Sequence, residues 1–145
     1  MSNTVVRIKA LHLNHIMPTL GSNGAGAFDI YMPEGGSIPY NGVIKVNLGF
    51  AAEVPAGNVA LLLPRSSTGA KFGVELNNTC GVIDSDYRGE WMATLKTKDG
   101  SAFTWSQGDR LLQFLLVPVL KATLECVTEL SDTVRGIGGF GSSGK

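Results

Sequence analysis

The sequence lacks an excess of charge of either sign. Twelve Lys and Arg residues balance twelve Asp and Glu residues, so the formal net charge of the 145-residue chain is zero at pH 7. Binding to duplex nucleic acid depends mainly on basic side chains that neutralise phosphates. The balanced composition provides no excess of basic side chains for such binding, and we expect no nucleic-acid partner.

Cysteine and histidine are scarce. The chain has two of each, Cys80 and Cys126, and His12 and His15. Two cysteines do not make the disulfide framework of a small secreted domain, and their apolar, β-type surroundings predict buried thiols in a reducing compartment. Without a Cys/His cluster, no metal ion held by protein ligands is expected.

Long hydrophobic runs are missing too. No segment reaches the roughly 20 apolar residues of a membrane-spanning helix, and residues 1–20 carry no signal-peptide pattern. These absences predict a cytoplasmic protein without a membrane partner. No sustained 3.6-residue apolar stripe occurs, so we expect no long helix.

The sequence contains 19 glycines and 6 prolines at short intervals, and the segments between them favour strands. Residues 66–71 could form one or two helical turns, with Ser66 or Ser67 as the N-cap. The pattern predicts an all-β domain of jelly-roll or barrel type with at most one short helix. The predicted strands are residues 5–8, 43–50, 59–63 (buried on both faces), 72–76, 91–95, 111–120 and 123–130.

The most informative stretch is residues 81–89, GVIDSDYRG. Asp84 directly follows three residues expected to be buried, so its carboxylate should emerge from a rigid base. Asp86 precedes a Tyr-Arg-Gly sequence that can reverse the chain. A carboxylate fixed at a strand end suits a general base acting on water. An ordinary acidic hairpin tip is the alternative interpretation of this segment alone.

Four other segments place a polar or glycine-rich turn beside a strand. They are residues 26–31 (GAFDIY), 64–69 (PRSSTG), 108–113 (GDRLLQ) and 135–144 (RGIGGFGSSG). Together with residues 81–89 they resemble, in order and spacing, the five motifs of the trimeric dUTPase family. The resemblance covers residues 25–145.

The resemblance implies a jelly-roll or β-clip subunit that assembles as a homotrimer with active sites between subunits. It implies hydrolysis of dUTP to dUMP and pyrophosphate, with Mg2+ held by substrate phosphates and water. It also divides the chain into a β-domain, residues 1–134, and a flexible glycine-rich arm, residues 135–145, that closes over the nucleotide.

Residue roles follow from the same resemblance. Asp84 would orient and deprotonate the attacking water, and Asp86 would share that role or support the turn. Tyr87 would lie under the deoxyribose and collide with a ribose 2′-hydroxyl, which disfavours UTP. The hairpin 78–81 would match the uracil edge, with Asn78, Gly81 and Ile83 at the base and sugar.

The triphosphate would be bound by residues from several motifs. Asp29 would pair with a basic group near the phosphates, with Arg65 as the candidate, and Arg110 would pair with an acid in a structural role. In the arm, Phe140 would stack on the uracil ring. The expected phosphate-binding residues are Arg65, Ser66, Ser67, Gln113, Arg135, Gly141, Ser142 and Ser143.

Two rival functions are weaker. A dCTP deaminase shares similar Arg-Ser-Ser and Ile-Asp motifs, but it needs a glutamate in the strand after the Ile-Asp turn. Residues 91–95 here read WMATL, without an acid. A non-catalytic nucleotide sensor or protein-binding module is the second alternative, and residues 98–107 are its one candidate partner loop. We expect the aromatic side chains of that loop to cover the sheet instead.

Overall fold

The computed structural model describes residues 3–144, which form short antiparallel strands and one short helix. The helix, α1, spans Ser66–Phe72. The predicted all-β class with at most one short helix is confirmed. The strands are β1 Arg7–Ala10, β2 Thr19–Leu20, β3 Phe28–Ile30, β4 Gly36–Ile38, β5 Val43–Asn47, β6 Phe50–Glu53, β7 Asn58–Pro64, β8 Val74–Leu76, β9 Gly81–Ile83, β10 Met92–Thr97, β11 Phe103–Trp105 and β12 Leu112–Pro118.

The strands form four small sheets. The largest has the order β2-β3-β12-β7-β9, a three-stranded sheet has the order β5-β10-β8, and β1–β6 and β4–β11 form two further pairs. β7 and β12 pair along their whole lengths, from Leu112 opposite Pro64 to Pro118 opposite Asn58. They are therefore the central scaffold, and β9 lies at an edge next to β7.

An aromatic cluster joins the sheets in the core. Phe50 and Trp91 lie with ring centroids 5.0 Å apart, and Trp91 meets Phe114 edge-on at 5.0 Å. All three side chains are buried, so burial of their apolar surface stabilises the contact between β6, β12 and the segment before β10. Trp91 is thus a core residue that also fixes the start of β10.

The helix begins at Ser66, the first residue of the predicted segment 66–71, and extends to Phe72. Its N-cap is Arg65, which has extended dihedral angles and makes no side-chain cap, so the expected cap by Ser66 or Ser67 is wrong. The backbone N–H of Arg65 donates to the Leu111 carbonyl at 3.0 Å, and this residue lies between the end of β7 and the start of the helix. Thr68 also donates to the Leu111 carbonyl, at 2.7 Å, and ties the helix to the same point.

Two strand predictions differ from the structure by more than two residues at an end. The segment 43–50 is split into β5 and β6, because Gly49 adopts φ +81° between them. The predicted strand 123–130 does not form within the described residues, and every residue of it is exposed. A strand needs a neighbour for its N–H and C=O groups, and β12 has ended at Pro118 before this segment begins.

Several burial predictions are also wrong. Val82 is 62% exposed and its neighbours in β9 are only half-buried, because an edge strand presents one face to solvent. In β7 only Ala60 and Leu62 are fully buried among the five apolar residues. Cys80 is half-buried and Cys126 exposed, so the prediction of two buried thiols fails.

The loop 98–107 directs its aromatic side chains inward, as expected. Phe103 packs on Phe72 with ring centroids 5.2 Å apart, and Trp105 is buried with its Nε1–H donating to the Glu34 carbonyl at 3.0 Å. Both aromatics are used by the fold. The loop therefore offers little apolar surface for a partner.

Candidate active site

Asp84 begins a tight turn directly after β9. The Tyr87 backbone N–H donates to the Asp84 carbonyl at 3.2 Å and closes the turn. The Asp84 side chain is exposed, and no ion pair engages it among residues 3–144. A carboxylate with free lone pairs can hold a water molecule and accept its proton.

Arg88 stabilises this turn by hydrogen bonds to its backbone. Its guanidinium donates to the Ser85 carbonyl at 2.8 Å and to the Tyr87 carbonyl at 3.3 Å. Its Nε lies 3.8 Å from a carboxylate oxygen of Glu53 in β6. The turn therefore keeps its shape without help from Asp86, whose side chain is exposed.

The Tyr87 side chain is held at its hydroxyl end. Its hydroxyl donates to the Glu90 carbonyl at 2.9 Å. The residue is 38% exposed and lines the cleft beside Asp84. The structure thus holds a flat aromatic face next to the free carboxylate.

A cleft of about 280 Å3, here named the Asp84 cleft, brings most of the predicted base and sugar residues together. The sequence-based prediction did not assign its apolar floor, which comes from the apolar runs around β7 and the start of β10. Its lining residues are Leu62, Asn78, Gly81, Val82, Ile83, Asp84, Tyr87, Trp91 and Met92.

Asn78 shapes the hairpin at the rim of this cleft. Its Nδ2 donates to the Cys80 carbonyl at 3.1 Å, and Thr79 between them adopts φ +70°. Since the side-chain amide is used within the hairpin, the Asn78 side chain has an internal role in addition to any ligand contact. The backbone groups of residues 78–81 are then presented in a fixed shape.

A second cleft, of about 410 Å3, is here named the Arg65 cleft. It contains three of the predicted phosphate-binding residues, Arg65, Ser66 and Gln113. Ser67, in the same helix, is half-buried and does not line it. The lining residues are Gly21, Ala25, Gly26, Ala27, Asp29, Arg65, Ser66, Gln113 and Leu115.

Asp29 organises the charges of the Arg65 cleft. One carboxylate oxygen lies 3.0 Å from Arg65 Nε, and the other lies 3.2 Å from an Arg110 guanidinium nitrogen. Arg65 also donates to the Arg110 carbonyl at 3.0 Å. The predicted ion pairs are confirmed. One acid faces two arginines, so this cluster of three side chains carries a net positive charge, and Arg65 is the arginine that lines the cleft.

Gln113 lies in the middle of this arrangement. It is in β12, opposite Asp29 in β3 and Leu63 in β7. Its Nε2 donates to the Pro64 carbonyl at 3.1 Å. An amide group carries two N–H donors, so one remains for a ligand in the cleft.

The predicted arm residues reach neither cleft. No residue of the segment 119–144 lines the Asp84 cleft or the Arg65 cleft. Arg135 donates to the Gly138 carbonyl at 2.8 Å within its own turn, and Phe140 is fully exposed. Gly141, Ser142 and Ser143 are exposed as well, and Lys145 lies outside the described residues.

A third cleft, of about 420 Å3, is larger than either of these. It lies between β4 and β5 and contains Glu34, Lys45 and Asn47, but no predicted site residue. Size alone does not define a site: the acid in this cleft, Glu34, lies 3.8 Å from His12 Nε2, whereas predicted site residues line both of the other clefts.

The histidines lie apart from both candidate clefts. His12 Nε2 is 3.8 Å from a Glu34 carboxylate oxygen, and burial lowers the pKa of His15. Within residues 3–144, no three His, Cys, Asp or Glu side chains converge as a metal site. That part of the chain also has no helix long and apolar enough to cross a membrane.

Comparison with known proteins places this β-fold with its two clefts in one family. The dUTPase family model matches residues 14–144. Deoxyuridine 5'-triphosphate nucleotidohydrolase of Paramecium bursaria Chlorella virus 1 is 39% identical over 137 residues, covering 94% of this chain and 96% of the viral one. The protein of that name from Bdellovibrio bacteriovorus is 39% identical over 150 residues, covering 100% and 99%.

Solved structures share the fold. The dUTPase of Staphylococcus bacteriophage 80alpha, solved with dUPNHPP, superposes with a TM-score of 0.88 at 23% identity and covers 99% of this chain and 100% of its own. A dUTPase from phage phi11 of S. aureus, solved with a structural Mg(II) ion, gives 0.79 at 21% identity, covering 87% and 98%. The chain belongs to the dUTPase family.

Proposed function

We propose that this protein hydrolyses dUTP to dUMP and pyrophosphate. The observation that carries the proposal is the Asp84 cleft, where an unpaired carboxylate lies beside a fixed tyrosine above an apolar floor. Family membership supports the same reaction. The alternative of a non-catalytic sensor does not require the free carboxylate of Asp84.

The reaction is an in-line displacement at the α-phosphorus. Asp84 holds a water molecule and takes its proton as the water oxygen bonds to phosphorus. The bond from phosphorus to the bridging oxygen breaks, and pyrophosphate leaves with that oxygen. Orientation of the water is the main contribution of Asp84, since phosphoryl transfer depends chiefly on positioning and charge stabilisation.

Base and sugar selection belong to the rest of the Asp84 cleft. Backbone groups of the hairpin 78–81 would pair with the O2, N3–H and O4 edge of uracil. Cytosine presents the opposite order at two positions and would leave buried groups unpaired. The ring of Tyr87 would lie against the deoxyribose where a 2′-hydroxyl has no space.

The triphosphate requires donors that the Asp84 cleft lacks. The Arg65 cleft supplies them through Arg65, Ser66 and the free N–H of Gln113, with Asp29 and Arg110 holding Arg65 in place. The two clefts share no lining residue. We therefore propose a homotrimer in which the Asp84 cleft of one copy faces the Arg65 cleft of a neighbour.

The arm would complete the site. Residues 135–145 contain five glycines, and ordering them costs conformational entropy that bound substrate must offset. Arg135, Gly141, Ser142 and Ser143 would then contact the phosphates, while Phe140 would cover the uracil ring. Closure would exclude bulk water from the reacting centre.

The proposed cofactor is Mg2+. Asp84 and Asp86 offer exposed carboxylate oxygens, the donor type that Mg2+ prefers, but no three acids converge in the described chain. These residues are therefore compatible with a Mg2+ ion that is held mainly by substrate phosphates and water. Bound there, Mg2+ would neutralise phosphate charge. We also propose a cytoplasmic location, consistent with the free thiols of Cys80 and Cys126.

The test is pyrophosphate release from dUTP, dCTP, dTTP and UTP, each measured with Mg2+ and with EDTA. We expect rapid release from dUTP alone and loss of that release in EDTA. Equal release from dUTP and UTP would contradict the role of Tyr87. Release from none of the four would contradict the proposed reaction and favour the sensor.

A further inference from the structure

Gly89 lies directly against the ring of Tyr87. A Cβ atom built on Gly89 would be 2.5 Å from the Tyr87 hydroxyl oxygen, 2.6 Å from Cζ and 2.9 Å from Cε2. Gly89 does not adopt a positive φ, unlike eight other glycines of the described chain. A side chain at this position would therefore displace the tyrosine ring, which occupies the space that glycine leaves free.

The next residue holds the other end of the same ring. The Tyr87 hydroxyl donates to the Glu90 carbonyl at 2.9 Å. The absence of a side chain at Gly89 thus lets the ring lie close to the backbone, and the Glu90 carbonyl accepts from its hydroxyl. Together they define the observed position of the Tyr87 ring at the edge of the Asp84 cleft.

Glu90 is itself anchored to the core on two sides. Its carboxylate accepts from the Gly49 backbone N–H at 3.2 Å, in the turn between β5 and β6. The next residue, Trp91, is buried and donates its backbone N–H to the Phe50 carbonyl at 2.9 Å. The carbonyl that receives the tyrosine hydroxyl is therefore part of a rigid support.

We propose that Gly89 and Glu90 are positioning residues that set sugar selectivity through Tyr87. The inference rests on the proposed function, in which Tyr87 faces the deoxyribose. Neither residue would touch the reacting atoms. Displacing the ring would open the space that excludes a 2′-hydroxyl, so UTP would gain relative to dUTP while the water and its base remain in place.

The test is the ratio of kcat/KM for UTP to kcat/KM for dUTP in Gly89→Ala. We expect this ratio to rise about tenfold or more, because an added methyl group must displace the ring. Gly24→Ala is the matched control, since a Cβ there meets nothing within 4 Å and lies outside both clefts. A general loss of folded enzyme would lower both rates equally and leave the ratio unchanged.

Three further variants decide the question even if Gly89→Ala fails to fold. Tyr87→Phe keeps the ring but removes the bond to Glu90, and we expect the ratio to rise about two- to tenfold, the range that one hydrogen bond represents. Glu90→Ala should raise it too, and Glu90→Gln should restore it because an amide oxygen can still accept from Gly49.

Unchanged ratios in folded Tyr87→Phe and Glu90→Ala, with wild-type dUTP hydrolysis intact, would overturn this proposal and leave the proposed reaction standing. Failure of the wild-type enzyme to hydrolyse dUTP would instead overturn the proposed reaction. The two failures are therefore distinguishable in one series of assays.

Discussion

Individual acids in this protein are held very differently. Asp29 is buried between Arg65 and Arg110, while Asp84 and Asp86 are exposed and unpaired within the described residues. A paired acid fixes its partners, whereas an unpaired one can bind and deprotonate water. This contrast separates the supporting carboxylate from the candidate base, although residue type alone does not distinguish them.

Asp84→Asn should keep the fold and nucleotide binding but lower kcat on the order of 10²-fold or more, since an amide cannot take the proton. Asp86→Asn is the matched control, two residues away on the same exposed turn, and we expect it to stay within about tenfold of wild type. Steady-state rates with dUTP check both. Near-normal turnover in Asp84→Asn would remove this residue from the base role.

His15 should make stability depend on pH. Its Nε2 is buried without a hydrogen-bond partner among residues 3–144. Its ring centroid lies 5.6 Å from that of Phe50. Desolvation by burial lowers its pKa from 6.5. The unfolded chain then binds more protons than the folded one as pH falls below about 6.5, so the free energy of unfolding should decrease over that range.

Urea unfolding midpoints at pH 7.5 and 5.5 measure this effect. His15→Gln should lose less stability than wild type between the two values, and His12→Gln serves as the control because His12 Nδ1 accepts from the Asn14 backbone N–H at 3.1 Å. An equal loss in wild type and His15→Gln would assign the pH dependence to other groups.

Among the elements, the strands that could be predicted from the sequence are those that pair with another strand of the chain. The apolar runs that became β7, β10 and β12 were predictable because each pairs within the chain. Residues 123–130 also contain apolar and β-branched side chains but have no partner strand among residues 3–144, so the predicted strand does not form. Strands of two or three residues, such as β2 and β4, leave too short a pattern to detect.

In the candidate site too, residues within a local motif could be predicted, whereas contacts between distant segments could not. Asp84, Tyr87, Arg65 and Asp29 could be predicted because each lies in a recognisable local motif. The contact between the Glu90 carboxylate and Gly49 joins residues 41 positions apart and leaves no local signal. The separation of the motifs into two clefts likewise depends on tertiary structure.

The arm is an element without contacts to either cleft in the single chain. Removing residues 135–145 should therefore leave the thermal midpoint of unfolding within a few degrees of wild type, because the segment buries no core. Activity toward dUTP should fall on the order of 10²-fold or more, as the phosphates lose ligands and the site stays open. A fully active truncated protein would contradict the closing arm.

For the whole molecule, the decisive feature is that one chain carries two incomplete clefts. The Asp84 cleft has the candidate base and the candidate sugar-facing ring but no cation, whereas the Arg65 cleft has a cation but no free carboxylate. The proposed reaction needs both sets around one nucleotide. In the proposed homotrimer, a closed ring of identical subunits would bring the two clefts together at each repeated interface.

Complementation between two inactive variants tests this account most directly. Asp84→Asn and Arg65→Gln should each be nearly inactive alone. Co-expressed in equal amounts, they should recover about a quarter of wild-type dUTP hydrolysis, because in random trimers about one site in four takes an intact Asp84 from one subunit and an intact Arg65 from its neighbour. No recovery in mixed trimers of normal size would contradict the shared site.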